Sequence, residues 1–240
     1  MLRVLTVVWL AGASLASAQA HEDFSSDRPG YANGTQSAPH LRPIVELGAA
    51  LTVDEDDAET LSAPGLVFRF GLGEYVELRA SVPGVTGVFQ RGPNDVVVGD
   101  VGFGFKVAWD LSEAASMSFI PSAFVSLEDG PATGRLEWNW SVGAGMVGFA
   151  GNLAGQAQGG VVQGEGSVAV SLALGARASV YVQSFLIWPE DVDPLPFVGA
   201  GVAIQVAPRI QVDTSLDVGL TDDTTRLTIG AGLSLLVGQS

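Results

Sequence analysis

Cysteine is absent from the 240 residues, histidine occurs twice, and charged residues make up only 15% of the chain. Without cysteine there is neither a disulfide framework nor a thiolate nucleophile. His21 and His40 are too sparse for a histidine-rich metal site, and with His40 as the one plausible base a catalytic pair has little to draw on. No glycine-rich phosphate loop precedes a helix, and there is no G-x-S-x-G elbow. The expectation is therefore a protein that is not an enzyme, with no cofactor and no metal. Basic residues are scarce as well: 11 Lys and Arg face 26 Asp and Glu, a net charge of −15. A chain this acidic repels phosphate backbones, so nucleic acid is not an expected partner. Beyond residue 20 no run of 18 apolar residues occurs, which excludes a helical membrane span.

What is present is alternation. Ile210, Val212, Leu216, Val218 and Leu220 are interleaved with Gln211, Asp213, Ser215, Asp217 and Gly219, and the pattern resumes with Leu227, Ile229, Ala231, Leu233 and Leu235. A period of two is the signature of a β-strand whose faces differ. One face is apolar, and the other is small, polar or charged. Repeated over nearly the whole chain, this predicts an all-β fold, a transmembrane antiparallel up-and-down barrel with lipid outside and a polar interior. Glycine, 31 of 240 residues, fits the curvature and close approaches a barrel needs.

The chain divides into three parts. Arg3, an apolar stretch from Val4 to about Leu15 and the Ala18-Gln19-Ala20 cleavage pattern predict a signal peptide over residues 1–20. Residues 21–41 are polar and irregular and read as an N-terminal periplasmic arm. Residues 42–240 read as the outer-membrane barrel. Twelve strands are expected, near 42–51, 64–72, 75–83, 96–109, 115–127, 135–149, 152–162, 167–174, 178–188, 194–206, 209–219 and 225–237. Pro121 weakens the fifth. Long or acidic connections (54–60, 84–95, 128–134, 189–193, 221–223) alternate with tight ones (71–74, 110–113, 150–152, 175–177, 207–209). Outer-membrane barrels alternate long extracellular loops with short periplasmic turns in the same way.

Strand parity sends Val76, Leu78, Ala80, Val82, Val97, Val101, Phe103, Phe105, Val107, Val168, Val170, Leu172 and Leu174 toward lipid. It sends Glu46, Arg69, Glu77, Arg79, Asp100, Lys106, Glu137, Gln156, Gln158, Asp213, Asp217 and Arg226 toward the lumen. Among these, Glu46, Arg69, Glu77, Arg79, Asp100 and Lys106 are the candidates for a constriction that orients a solute. The alternative is a closed salt-bridge network that fills a narrow barrel. Trp109, Trp138, Trp140 and Trp188 suit interfacial aromatic belts. Asp27 and Arg28 are placed to pair with each other or to stopper the periplasmic mouth; Pro29-Gly30 alone would make a turn. The acidic run 54–60 reads as a solvated loop rather than a calcium site, since it lacks the EF-hand spacing.

Four strings in order, DRPG at 27–30, Glu46 followed by Leu47-Gly48, FRFGLGEYVELR at 68–79 and GDVGFGFK at 99–106, resemble the outer-membrane transporter-like family of phenol-degradation meta-pathway proteins. The resemblance implies a Gram-negative outer-membrane barrel that passes small, hydrophobic or aromatic molecules, with lipid, a small-molecule solute and the barrel assembly machinery as partners. Barrels of this kind often end in an aromatic residue, whereas Val237 and Ser240 stand here. Two rival readings are a closed-lumen structural barrel without transport and a secreted soluble β-protein whose apolar face is a core.

Overall fold

The structure is a computed structural model and describes residues 24–54, 59–82, 84–89, 95–127, 130–222 and 224–238. The expected signal peptide lies outside the described residues. Fourteen strands follow one another: β1 (Pro43–Val53), β2 (Glu59–Gly71), β3 (Val76–Val82), β4 (Val85–Phe89), β5 (Asp95–Val98), β6 (Val101–Ser112), β7 (Ala115–Val125), β8 (Thr133–Ala144), β9 (Val147–Gln158), β10 (Val161–Ala173), β11 (Ala178–Pro189), β12 (Leu195–Ala207), β13 (Ile210–Gly219) and β14 (Leu227–Leu236). Each of β1–β3 and β6–β14 pairs antiparallel with its neighbours, and β14 returns to β1 in register from Ile44↔Leu236 to Val53↔Leu227. The result is a closed ring of twelve strands with β4 and β5 as an additional hairpin carried by the first half of β2. In hydrocarbon a closed ring is the β-arrangement that leaves no backbone group unpaired.

The outside is apolar. Phe103, Leu78, Val168, Val170, Leu172, Val182, Leu216 and Ile229 are all exposed, while the alternate positions carry the buried polar set Glu46, Arg69, Glu77, Lys106, Ser118, Asn139, Asn152, Ser167 and Asp213. A soluble β-protein would show the reverse. The buried apolar cluster is correspondingly small, with Ala38, Ile44 and Leu236 packed against Phe24.

Three sequence expectations are corrected. The stretch 84–109, expected as a loop over 84–95 and one strand near 96–109, holds β4, β5 and β6; β4 starts just after Gly84, where a side chain would collide with the backbone of Ala63 and Pro64. The tight turn expected at 150–152 lies instead at Gly145-Met146, between Ala144 and Val147, where Gly145 takes φ 65°. Residues 150–152 run inside β9: Gly151 sits beneath the Trp140 ring, and Asn152 faces inward to accept from Ser167 at 2.6 Å. Gly and Asn are common turn residues, but in this barrel a polar side chain such as Asn152 has its place inside. Arg226, expected to face the lumen, is an exposed residue of the loop before β14. Pro121 stays within β7, and the β6–β7 register passes from Gly104↔Ser122 directly to Val107↔Phe119 around the position that has no N–H to give.

The inverted pattern makes a direct prediction. Val168→Arg, on the outer face, should lower unfolding stability in lipid vesicles by about 2–4 kcal/mol if it sits at the bilayer midplane. Denaturant titration of both proteins checks it, and an unchanged midpoint would contradict the lipid-facing assignment.

Candidate functional site

The N-terminal arm is not outside the barrel. Residues from Phe24 to Ala38 form no strand, yet Ser26, Asp27, Arg28, Ala32, Thr35 and Ala38 are buried. The arm expected on the periplasmic side therefore runs, over its described part, within the ring of strands, and it is tied to the wall through side chains.

Its central tie is Asp27. The carboxylate accepts both from Lys106 Nζ, at 3.0 Å to each oxygen, and from the Arg79 guanidinium, and it lies 3.3 Å from Arg69. Gly34 N–H donates to it at 3.0 Å, and the Asp27 N–H donates to Glu46 at 2.8 Å. Arg69 forks onto Glu77 at 3.0 and 2.9 Å and reaches Glu46 at 3.0 Å and the Ser25 carbonyl at 2.8 Å. Arg79 also donates to Glu77 at 2.8 Å and to Asn33 at 2.8 Å. Glu77 accepts from the Ala38 N–H at 2.6 Å. On the wall, Arg69, Arg79 and Lys106 outnumber Glu46 and Glu77 by one, and Asp27 supplies the missing negative charge.

Arg28 faces the opposite way. It donates to Asp213 at 3.2 and 3.4 Å and to the Ala231 carbonyl at 3.1 Å. Its guanidinium lies over Gly48 and Gly232, a cross-strand pair on the closing seam; a side chain on either glycine would overlap it. Asp27 and Arg28 therefore do not pair with each other. Each neutralises a wall charge of opposite sign on its own side. Ser26 adds a tie to the same seam, 2.7 Å from Ser234 and 3.2 Å from Glu46.

Burial alone would raise the Asp27 pKa, but Arg69, Lys106 and Arg79 outweigh it and hold the carboxyl well below the usual carboxylate range. Tyr31, farther along the arm, is pushed well above the usual phenol value, first by burial and then by Glu165. A third cluster surrounds this ring. Arg135 pairs with Glu137 at 3.2 Å and with Glu165 at 2.8 Å, Asn33 donates to Glu137 at 2.8 Å, and Gln183 accepts from the Tyr31 N–H at 2.9 Å.

Of the six candidates named from sequence, Glu46, Arg69, Glu77, Arg79 and Lys106 converge in one cluster. Asp100 does not join it: it lies half-buried between β5 and β6, off the strand parity that would have turned it inward. Of the further residues expected inside, Glu137 and Asp213 are buried there, Asp217 accepts from Gln183 at 2.7 Å, Gln156 accepts from Arg135 at 3.3 Å, and Gln158 donates to the Pro131 carbonyl at 3.2 Å. Sequence reasoning missed Arg135, Glu165, Phe185 and Phe197 as lumen residues. The inward parity of Glu137 extends to Arg135, which was a usable signal. In β11 both faces carry apolar residues, so Phe185 had none. With the arm in place, an internal cavity of about 70 Å³ lies between Asn33, Arg79, Ile120, Phe124 and Arg135. That is about half the ~150 Å³ known to hold benzene.

A family model described as "Putative MetA-pathway of phenol degradation" matches residues 26–237. Among solved structures, the chain is similar to an outer-membrane channel from Pseudomonas putida F1, with TM-score 0.67 and 11% identity over 88% of this chain and 99% of that one. It is similar to the KdgM porin in complex with disordered oligogalacturonate, with TM-score 0.59 and 6% identity over 81% and 99%. It is also similar to the CymD monoaromatic hydrocarbon channel, with TM-score 0.53 and 10% identity over 83% and 90%. No curated protein matches the chain by sequence.

Asp27 carries a quantitative expectation. Asp27→Asn leaves three wall cations facing two carboxylates in a buried site, which should cost about 3–5 kcal/mol. Adding Lys106→Met to restore the balance should recover part of that loss. A carboxyl held below its unfolded value of about 3.9 stabilises above that value and ceases to do so as the pH falls through the folded one. The thermal midpoint contributed by Asp27 should therefore be flat from pH 8 to 5 and decline below about pH 4. The decline should shrink in Asp27→Asn. Thermal melts of the three proteins across this range check both points.

Proposed function

The chain belongs to the family of phenol-degradation meta-pathway proteins and is an outer-membrane β-barrel; on that premise we propose that it is a passive channel for small molecules, hydrophobic and aromatic ones included, closed at rest by its own N-terminal arm. The observation that carries this reading is the contrast between wall and stopper. The wall is a hydrogen-bonded ring closed on itself. The arm within it adds no strand and is held mainly by side-chain contacts, so it is the element that can leave without opening the barrel. The monoaromatic hydrocarbon channel and the porin among the similar structures support a transport role. These neighbours are channels and porins rather than enzymes. Outer-membrane lipid surrounds the apolar belt, and the barrel assembly machinery inserts it.

In this reading Glu46, Arg69, Glu77, Arg79 and Lys106 act first as the dock for the arm. When the arm withdraws they line a constriction that selects the solute. The balanced charge of the dock favours a second reading, a permanently closed barrel in which the cluster is architectural.

Deletion of residues 24–38 separates the two. The channel reading expects small or rare conductance steps from the full chain in planar bilayers and larger, frequent steps from the deleted chain. Arg79→Ala, which removes one tie to Asp27 and one to Asn33, should fall between them. A deleted chain that still migrates as a heat-modifiable barrel on gels and conducts no more than the full chain would leave the closed barrel.

A further inference from the structure

The lumen holds a ladder of three parallel rings that the charge network does not require. Phe185 of β11 and Phe197 of β12 stand directly opposite each other in register, with centroids 4.7 Å apart and planes 8° apart. Tyr31 of the arm lies on Phe185 at 4.1 Å and 9°. Both wall rings face inward and are buried, with exposures of 7% and 8%.

Two of the rings belong to the hydrogen-bonded wall and stay where they are when the arm moves. The third belongs to a segment without strand pairing. Its hydroxyl faces the Glu165 carboxylate, and the two interact electrostatically. Glu165 is itself fixed by Arg135 at 2.8 Å and by Gln163 at 2.9 Å. The wall therefore presents an aromatic face for one side of a planar ring and an oriented acceptor for one hydroxyl. What occupies this slot in the closed state is a phenol attached to the chain.

We propose that Tyr31 is a built-in occupant of an aromatic slot formed by Phe185, backed by Phe197, and by Glu165, and that a hydroxylated aromatic solute takes its place and thereby loosens the arm. The proposal rests on the channel reading for its biological sense, but its binding test does not depend on conductance. Stacking supplies affinity for any flat ring. The hydrogen bond to a charged acceptor separates a phenol from a plain arene, because a site built to pair with a hydroxyl is left with an unpaired group when the hydroxyl is missing. Tyr31 competes from within the same molecule, so the full chain binds such a solute more weakly than a chain whose slot is empty.

The probe is para-cresol, which reproduces the Tyr31 side chain, with toluene as its counterpart, titrated calorimetrically into the detergent-solubilised full chain. The expected result is that Tyr31→Ala binds para-cresol at least about tenfold more tightly than the unmodified protein and prefers it to toluene by about tenfold. Adding Phe185→Leu should abolish the gain. Tyr31→Leu, which fills the space without a stacking ring, serves where Tyr31→Ala yields no heat-modifiable barrel, and a gain for it counts equally. Affinity that does not rise in either Tyr31 variant, or that survives Phe185→Leu, overturns the proposal. The arm-deleted chain keeps the two ideas apart. Para-cresol binding in a chain that never conducts upholds the slot and removes the channel; conductance with unchanged binding does the opposite.

Discussion

A backbone in hydrocarbon has no water to bond to, so every N–H and C=O must find its partner within the protein. The rest of this structure follows from that constraint. The sheet has to close, and β14 meets β1 over ten residue pairs to do it. Closure gives the sheet an outside that faces lipid and an inside that cannot. Apolar side chains take the outside, and the charged and polar ones are gathered into a lumen about twelve strands around. A lumen of that size is too wide for the side chains of the wall alone to fill and narrower than an open porin channel.

Gathering charges inside creates the next problem, since buried charges are costly unless they are paired and hydrogen-bonded. The wall does not solve it alone. Around β2, β3 and β6 it carries one cation too many, and near the seam Asp213 has no wall cation as a partner among the described residues. Two consecutive residues of the arm, Asp27 and Arg28, answer these two excesses on opposite sides. Gly48 and Gly232 keep the seam thin enough for the Arg28 guanidinium to lie across it. The arm is therefore an electrostatic complement of the wall as well as an obstruction, which is why its docking and its stability are expected to respond to charge substitutions and to acid.

The same arrangement explains how a closed barrel can still be poised to transmit. Ion pairs and stacked rings hold the arm through side chains, while the wall is held through a continuous backbone ladder. On the proposed channel reading, the first can give way while the second holds. Tyr31 on Phe185 is the part of that contact whose chemistry a small solute can imitate; Asp27 among three cations is the part it cannot.

Much was legible in the sequence because one physical variable, side-chain polarity with period two, records both the strand and the face. The strand number, the inward turn of Glu46, Arg69, Glu77, Arg79 and Lys106, and the apolar belt carrying Phe103 and Val168 all follow from it. Misreadings came where that variable is silent or inverted. Asn152 looked like a turn residue because Gly and Asn are common in turns. The valines of β5 looked like the start of β6 because the break at Gly99-Asp100 does not stand out from the alternation around it. Arg226 fell outside the strand whose parity was assumed to govern it. Only the tertiary structure decided that Asp27, Arg28 and Tyr31 lie within the ring and what they touch there. Those partners stand up to 203 residues away in sequence, and the arm has no periodicity of its own, so nothing local in residues 24–38 records which wall charge or ring each will meet.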